Sequence, residues 1–236
     1  MKDGLIEKIK SRGYWRVNFQ PITAAVRLDS MQKSKEIVEK NAVNLRGWDF
    51  PHIPSRDDET TGSSTSGNYY EGWTDWSNYK EFWQMYKSGQ FLSYLALRED
   101  WFEESLTASS WAERIKPMTS LSILNSVIYE ITEVFEFLSR LTSSGLYEEG
   151  VLVNMSLHNI ENRELWIEDQ TRISFSYPRK TNAKELVFNK EYSKEDVIND
   201  SKKLANSMIL EIFDAFGWNP SSEQISTDQE KILSRN

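Results

Sequence analysis

The stretch that most constrains the fold is residues 79–101, YKEFWQMYKSGQFLSYLALREDW. Two runs rich in aromatic and aliphatic residues, 82–86 and 91–97, flank the tetrapeptide KSGQ. Because Gly89 supplies the positive φ that a tight turn needs, this pattern predicts a β-hairpin. Neither run alternates cleanly between apolar and polar residues, which is typical of strands covered on both faces. The hairpin is therefore predicted to form the middle of a sheet.

Further strands are predicted on either side of the hairpin. Alternation is clearest at 151–158, where apolar odd-numbered residues point to one side and Ser156 and His158 point to the other. Segments 165–167 and 172–177 are interpreted as a continuing antiparallel meander. The predicted strands beside the hairpin are 14–19, 41–50, 69–76 and 151–158.

Two long amphipathic helices are predicted to cover the sheet. Residues 120–144 repeat apolar side chains at spacings of three and four, and Gly145 supplies the stop. Residues 193–216 begin at Ser193, with Asp196 at the capping-box position. Shorter helical segments are predicted at 3–12, at 30–41 with Ser30 as the N-cap, and around 110–115.

Two stretches are predicted to lack regular structure. Residues 54–68 are rich in Gly, Ser, Thr and acidic side chains with almost nothing to bury, so they are predicted to form a mobile surface loop. Residues 220–236 are polar and are predicted to form a loose C-terminal tail. Residues 1–219 are interpreted as a single α+β domain. Its sheet is mixed, mainly antiparallel and rich in aromatic residues, and one long central helix and a C-terminal helix cover it.

Charge and cysteine content exclude several classes of protein. The 236-residue chain has a net charge of −8, with 16 Lys and Arg against 17 Asp and Glu through Met118 and 12 against 19 after it. This distribution argues against a broad nucleic-acid face, which would need clustered basic residues. Because cysteine is absent from the sequence, disulfides, zinc-thiolate sites and thiol catalysis are excluded, and the composition fits a reducing compartment.

The hydropathy pattern predicts a cytoplasmic protein without a membrane segment. The first residues, MKDGLIEKIKSRG, contain no long apolar stretch of the kind that a signal peptide needs. No window of the sequence approaches 18 continuous apolar residues, so no membrane-spanning helix is predicted.

The densest polar cluster is RGWDFPH at residues 46–52. Arg46 and Asp49 could pair, Trp48 could offer a stacking surface, and His52 could titrate near neutrality. One interpretation is a pocket for a planar or anionic ligand. The other is a structural Arg–Asp pair that fixes a strand-to-loop corner, since most ion pairs are structural.

Catalytic signatures are scarce. His52 and His158 are the only histidines, so a Ser–His–acid triad would have to use one of them. The sequence contains no G-x-S-x-G elbow, no H-E-x-x-H motif, no P-loop and no dinucleotide-binding fingerprint. An enzyme hypothesis stays open around Arg46, Asp49 and His52, without assigned catalytic residues.

No metal or cofactor site is predicted. The acidic residues 57–59 are adjacent in a loop and point in different directions, which does not make a preformed cation site. Glu130, Glu133 and Glu136 recur every three residues on the long helix. They are interpreted as a solvated or interface face, because the sequence has no Glu-x-x-His partners for a carboxylate-bridged centre.

The first half of the chain combines aromatic residues with arginine. Six of the nine Trp lie within the first 101 residues. The residues that could stack on bases, as those of single-strand binders do, are Trp15, Arg16, Arg46, Trp48, Trp73 and Trp76. Alternatively, most of these rings pack in the core and an exposed remainder forms a protein-binding hot spot, since Trp, Tyr and Arg dominate such interfaces.

Several phrases, taken in order, resemble one family. They are GYWRVNFQP at 13–21, LRGWDFPHI at 45–53, EFWQMYKSGQF at 81–91 and TEVFEFLSRL at 132–141. Over these residues the chain is similar to an uncharacterised bacterial domain associated with Schlafen-type predicted DNA-binding proteins and with phage-defence loci. The resemblance implies a prokaryotic, cytoplasmic, defence-linked role, and it carries over no catalytic residues.

Together these observations favour a non-enzymatic recognition or assembly subunit, a sensor or scaffold that works with a separate effector protein encoded nearby. The alternatives are a nucleic-acid-associated protein that uses the aromatic and Arg residues of the first half, and an enzyme at the 46–52 cluster. An oligomer is compatible with each of them, and membrane contact is not expected. The predicted partner-binding residues are Arg46, Trp48, Asp49, His52, Arg16, Trp73 and Trp76.

Overall fold

The computed structural model describes residues 2–23, 28–105 and 118–234. The strands are β1 (Tyr14–Pro21), β2 (Thr61–Ser66), β3 (Tyr69–Trp76), β4 (Tyr79–Tyr86), β5 (Phe91–Ala96), β6 (Ser120–Ser122), β7 (Val151–His158), β8 (Glu164–Trp166) and β9 (Glu185–Tyr192). The helices are α1 (Leu5–Lys10), α2 (Met31–Asn41), α3 (Glu130–Ser143), α4 (Lys194–Asp214) and α5 (Ser222–Leu233), with a 3-10 segment (Arg98–Glu104) and a π-helical segment (Ile123–Tyr129).

Within the described ranges, seven strands form one antiparallel sheet in the order β2-β3-β4-β5-β1-β7-β9. The predicted hairpin, β4 and β5, holds the third and fourth places, and Gly89 lies at its turn with φ of 85°. Trp83 and Phe91 are buried on one face of it and Phe82 is buried on the other. The α+β class and the central hairpin are confirmed.

Side-chain alternation gives the sheet two unlike faces. The helix face carries Trp15, Val17 and Phe19 of β1, which pack in one large core with residues of α2, α3, α4 and α5. The opposite face, called here the open face, carries Tyr14, Arg16 and Asn18 of the same strand. At one end of the open face Leu5 and Ile9 of α1 pack with Phe82 and Ala96. The two faces therefore offer two separate places for a site.

The strand predicted at 41–50 is wrong. Residues up to Asn41 end α2, and only Val43 and Phe50 make a β-bridge, through N–O contacts of 2.9 and 2.8 Å. The α2 helix itself begins where its cap predicts, since the Ser30 hydroxyl accepts a hydrogen bond from the Lys33 amide. Residues 44–49 thus form a loop closed by the bridge, instead of the end of a strand.

The mobile loop predicted at 54–68 is wrong for residues 61–66, which form the edge strand β2. Pairing with β3 makes these residues a strand and sets their register, which their polar composition does not predict. Small side chains are required here, because a Cβ on Gly62 would lie 2.4 Å from the Trp73 ring. The Ser64 hydroxyl also donates to Glu71 across the pair.

The long helix predicted at 120–144 is right only from Glu130 onward. Ser120–Ser122 pairs in parallel with β8, and the π-helical segment follows it. The Glu168 carboxylate accepts hydrogen bonds from the amides of Leu124 (3.1 Å) and Asn125 (2.7 Å). A capping group from a distant segment therefore sets how this helix begins.

The predicted meander and C-terminal tail also need correction. Strand β8 pairs in parallel with β6, and residues 172–177, which the structure describes, form no strand. The tail contains helix α5, whose N-cap Ser221 accepts from the Gln224 amide and whose Ile225 and Ile232 are buried. Gln229 is also buried, and it donates to the Thr132 hydroxyl at 3.1 Å. Because the buried side of α5 includes polar residues, the hydropathy of its sequence does not indicate a packed helix.

Two expectations remain, one about the segment 110–115 and one about membrane-spanning helices. The helical turn predicted at 110–115 lies outside the described residues. Over the part of the chain that the structure describes, none of the helices combines the length and the apolarity needed to cross a bilayer.

Candidate functional site

The loop 44–49 places Arg46 against helix α3. Its guanidinium bonds the Glu130 carboxylate at 2.9 Å and the Glu133 carboxylate from two nitrogens, one of them Nε at 3.0 Å. It also donates to the backbone carbonyl of Asn125 in the π-helical segment at 3.1 Å. The Arg46 side chain is only 7% exposed and that of Glu133 is 1% exposed. The expected Arg46–Asp49 pair is therefore wrong. Of the solvated or interface face expected of Glu130 and Glu133, the solvated alternative is also wrong, because both residues are buried.

Buried charge is concentrated beneath this loop. Glu81 of β4 and Arg98 of the 3-10 segment line one small cavity together with Glu130 and Glu133, the two carboxylates that Arg46 contacts. Burial raises the pKa of Glu81 well above its usual range, and the nearby Glu130 adds to that shift. The guanidinium groups of Arg46 and Arg98 lie near the carboxylates of Glu130 and Glu133, so opposite charges offset each other there.

The cavity has a volume of about 20 Å³, close to the space that one water molecule needs. Burial raises the pKa of Glu133, although Arg46 opposes the shift, and the Oε1 atom of Glu133 has no hydrogen-bond partner among the described residues. The cavity is too small for a planar organic ligand. It lies within an ion network that fixes the loop through Arg46.

A column of stacked rings lies above this network. The rings of His52 and Trp48 stack at 4.0 Å, and Trp48 stacks on Tyr79 at 4.1 Å. The Arg98 guanidinium lies over the Tyr79 ring at 4.1 Å, and Trp76 is parallel to Trp48 at 5.8 Å. These five residues, called here the aromatic corner, are all partly exposed.

The position of the His52 ring is fixed by Asp49. The two side chains meet at 2.7 Å through Nδ1 and Oδ1, and the other Asp49 oxygen accepts from the Ile53 amide at 2.8 Å. Burial would raise the pKa of Asp49, but these hydrogen bonds hold it below its usual range. Backbone contacts add to this, since Trp83 Nε1 donates to the His52 carbonyl at 2.8 Å. The Asp49 carboxylate is thus an anion that orients the ring.

The predicted site residues separate into two groups. Trp48, Asp49, His52 and Trp76 meet at the aromatic corner, and Arg46 lies beneath it. Arg16 and Trp73 lie on the open face instead, where Trp73 packs with the core under α1. The sequence interpretation therefore joined two unrelated surfaces.

Some residues of the corner were missed from the sequence. Tyr79 was assigned only to the hairpin, although the short turn between β3 and β4 puts it opposite Trp76. The spacing of Glu130 and Glu133 predicts a solvated or interface face, but the surrounding phrase VIYEITEVF leaves no polar face wide enough for solvation. The sequence around Arg98 contains no pattern that predicts its role. Its stacking on Tyr79 depends on the path of the 3-10 segment in the folded protein.

Metal-binding groups and relatives among known proteins give no further indication of what this site does. In residues 2–23, 28–105 and 118–234, no group of three or more His, Asp or Glu side chains could hold a metal ion. A scan against protein-family models finds no match, and searches of curated proteins and of solved structures find none.

Proposed function

We propose that this chain is a recognition or assembly subunit, which binds another protein through the aromatic corner and acts with a separate effector. The observation that carries the proposal is the partly exposed column His52–Trp48–Tyr79–Arg98, which lies on a buried ion network. Trp, Tyr and Arg are the residue types that dominate protein-binding hot spots.

Rigidity of the corner supports the proposal. Trp48 is held between two rings, and the Asp49 carboxylate and the Trp83 indole hold His52. A surface that is already ordered loses little side-chain entropy when a partner binds, so more of the contact energy appears as affinity.

The same stacking favours a protein partner over a nucleic acid. A base needs a free ring face, but both faces of Trp48 are occupied at about 4 Å by His52 and Tyr79. Arg16, which the nucleic-acid hypothesis needs beside these rings, is on the other face of the sheet. The net charge of −8 also opposes phosphate binding.

The biological setting is part of the proposal. The resemblance of the phrases at 13–21, 45–53 and 81–91 supports a bacterial, defence-linked role, and the lack of cysteine supports a cytoplasmic one. The effector is then a protein encoded beside this chain.

The experiment is co-expression with each protein encoded beside this chain, followed by calorimetric titration of the purified pair. Trp48→Ala should cost at least about 2 kcal/mol of binding free energy, or roughly 30-fold in Kd. Trp166→Ala is the matched control, because Trp166 is also partly exposed but belongs to β8, and none of the stacked pairs of the corner includes it. Circular dichroism of both variants confirms that they fold.

Two results would refute the proposal. One is a wild-type chain that forms no complex with any of these proteins. The other is a complex that Trp48→Ala and Trp166→Ala weaken equally. Salt-dependent binding of single-stranded DNA or RNA that is lost in Trp48→Ala would favour the nucleic-acid hypothesis instead.

A further inference from the structure

A second cluster of polar side chains lies on the open face of the sheet. The register of the strands brings its members together. Ser156 and His158 are two residues apart on β7, so their side chains lie on the same face. Glu185 of β9 is directly opposite His158, while Tyr14 and Arg16 of β1 are opposite His158 and Ser156. Nucleophile, base and acid are thereby brought within contact distance on the two neighbouring strands β7 and β9, beside β1.

The hydrogen bonds run in the order that a Ser–His–acid triad requires. Ser156 Oγ lies 2.7 Å from His158 Nε2, and His158 Nδ1 lies 2.8 Å from Glu185 Oε2. Nδ1 therefore donates to the carboxylate while Nε2 accepts the hydroxyl proton. The Tyr14 ring stacks on the imidazole at 4.6 Å and 13°, which fixes the plane of the base.

The electrostatics suit a general base. Burial lowers the pKa of His158, the Glu185 carboxylate opposes that shift, and Arg16 and Lys10 lower the pKa further. The imidazole is then neutral near pH 7 and free to accept a proton. By contrast, His52 also has a carboxylate on Nδ1, but the described residues place no hydroxyl on its Nε2.

Arg16 is available for a substrate. It is opposite Ser156, and its guanidinium has no hydrogen bond or ion pair with the described residues. Lys10 adds a second cation nearby, with Nζ 4.8 Å from the Tyr94 ring. Arg16 opposite Ser156, and Lys10 whose charge also acts on His158, favour a substrate with an anionic acyl group.

We propose that Ser156, His158 and Glu185 form a hydrolytic site for small esters whose acyl group carries a carboxylate. Ser156 Oγ attacks the ester carbonyl carbon as its proton passes to His158 Nε2. The tetrahedral intermediate expels the alcohol, which leaves with that proton. Water, deprotonated by His158, then cleaves the acyl-serine to give the free acid and regenerate Ser156. Glu185 acts as a positioning residue for the imidazole.

This site goes beyond the proposed recognition role and is independent of it. The aromatic corner is at the helix face and the triad is on the open face, so loss of one function leaves the other testable. An active triad would also overturn the expectation of a non-enzymatic chain.

The test uses the full chain with a fluorophosphonate probe and two 4-nitrophenyl esters, the acetate and the anionic hemisuccinate. We expect one fluorophosphonate adduct at Ser156 by peptide mass spectrometry, and turnover of the hemisuccinate at a higher kcat/KM than the acetate. Ser156→Ala should lose the adduct and at least 100-fold of kcat, and His158→Asn should lose a similar factor. Ser64→Ala is the matched control and should keep both signals, because the Ser64 hydroxyl on the same face donates to Glu71 instead of a histidine.

The positioning role and the anion preference have their own readouts. Glu185→Gln should move the lower inflection of the pH–rate profile to lower pH, because the carboxylate raises the pKa of His158. Arg16→Met should raise KM for the hemisuccinate with little change for the acetate. The proposal is overturned if wild type is unlabelled and inactive, or if folded Ser156→Ala, checked by its thermal melt, retains the adduct or the turnover.

Discussion

Replacing Arg46 tests whether the buried ion network holds the aromatic corner in place. Arg46→Met keeps the apolar stem of the side chain but removes the charge that Glu130 and Glu133 share. Both carboxylates stay buried, at 10% and 1% side-chain exposure. Removing one partner of a buried ion pair costs about 3–5 kcal/mol, because the remaining charge is left uncompensated. We expect a loss of that size in the free energy of unfolding at pH 8.

The loss in the free energy of unfolding caused by Arg46→Met should be larger at high pH than at low pH. Burial already raises the pKa of Glu133, and Arg46 opposes that shift, so the variant should raise it further. A carboxyl whose folded-state pKa exceeds its unfolded value of about 4.3 binds a proton preferentially in the folded state. Its stabilisation is lost as pH rises through the folded pKa. The difference between Arg46→Met and wild type should therefore be smaller at pH 5 than at pH 8.

Urea unfolding at both pH values measures this difference. Arg140→Met is the matched control, because Arg140 pairs with Glu136 at 2.9 Å on α3, where the side chains are 32% and 28% exposed, and its other contact is a hydrogen bond to the Ala42 carbonyl at 3.0 Å. Such i,i+4 surface pairs contribute about 0.3–0.5 kcal/mol. If Arg46→Met costs no more than Arg140→Met, or if its cost is the same at pH 5 and pH 8, the reasoning about the network is wrong.

Two further predictions concern the core. Gly72→Ala should lower the free energy of unfolding by about 1–3 kcal/mol in urea, because its Cβ would lie 2.5 Å from the Trp83 ring. Gly67→Ala, where a Cβ meets nothing within 4 Å, should change it by less than about 1 kcal/mol. Burial raises the pKa of Glu99 to about 7, so wild type should lose stability relative to Glu99→Gln as pH rises from about 4.5 to 7. Stability curves that run parallel over that range would contradict this assignment.

Local sequence signals predicted the elements that local physics determines. The Gly89 turn, the Ser30 cap and the alternation of β7 each depend on a few neighbouring residues, and all are found in the structure. Strand β2 and helix α5 were missed because both are polar. Their order comes from pairing with β3 and from burial against the helical core, which local composition does not encode.

The candidate sites show the same difference between contacts within a short stretch of sequence, which can be predicted, and contacts between distant segments, which cannot. The 46–52 phrase correctly brought Trp48, Asp49 and His52 together, yet the partner of Arg46 was wrong, since Glu133 is 87 residues away. The interval S-x-H on an alternating strand was visible in the sequence. Its acid was not, because Glu185 meets His158 only through the register of β9 on β7. Long-range register is what single-sequence reasoning lacks.

Hydrogen–deuterium exchange of the complex with its effector tests the proposed recognition role most directly. Binding through the aromatic corner predicts slower exchange in peptides that cover residues 44–53 and 76–80, with the open face unchanged. Protection confined to another surface, such as the segment bearing the exposed side chains of Ile173 and Tyr177, would contradict it.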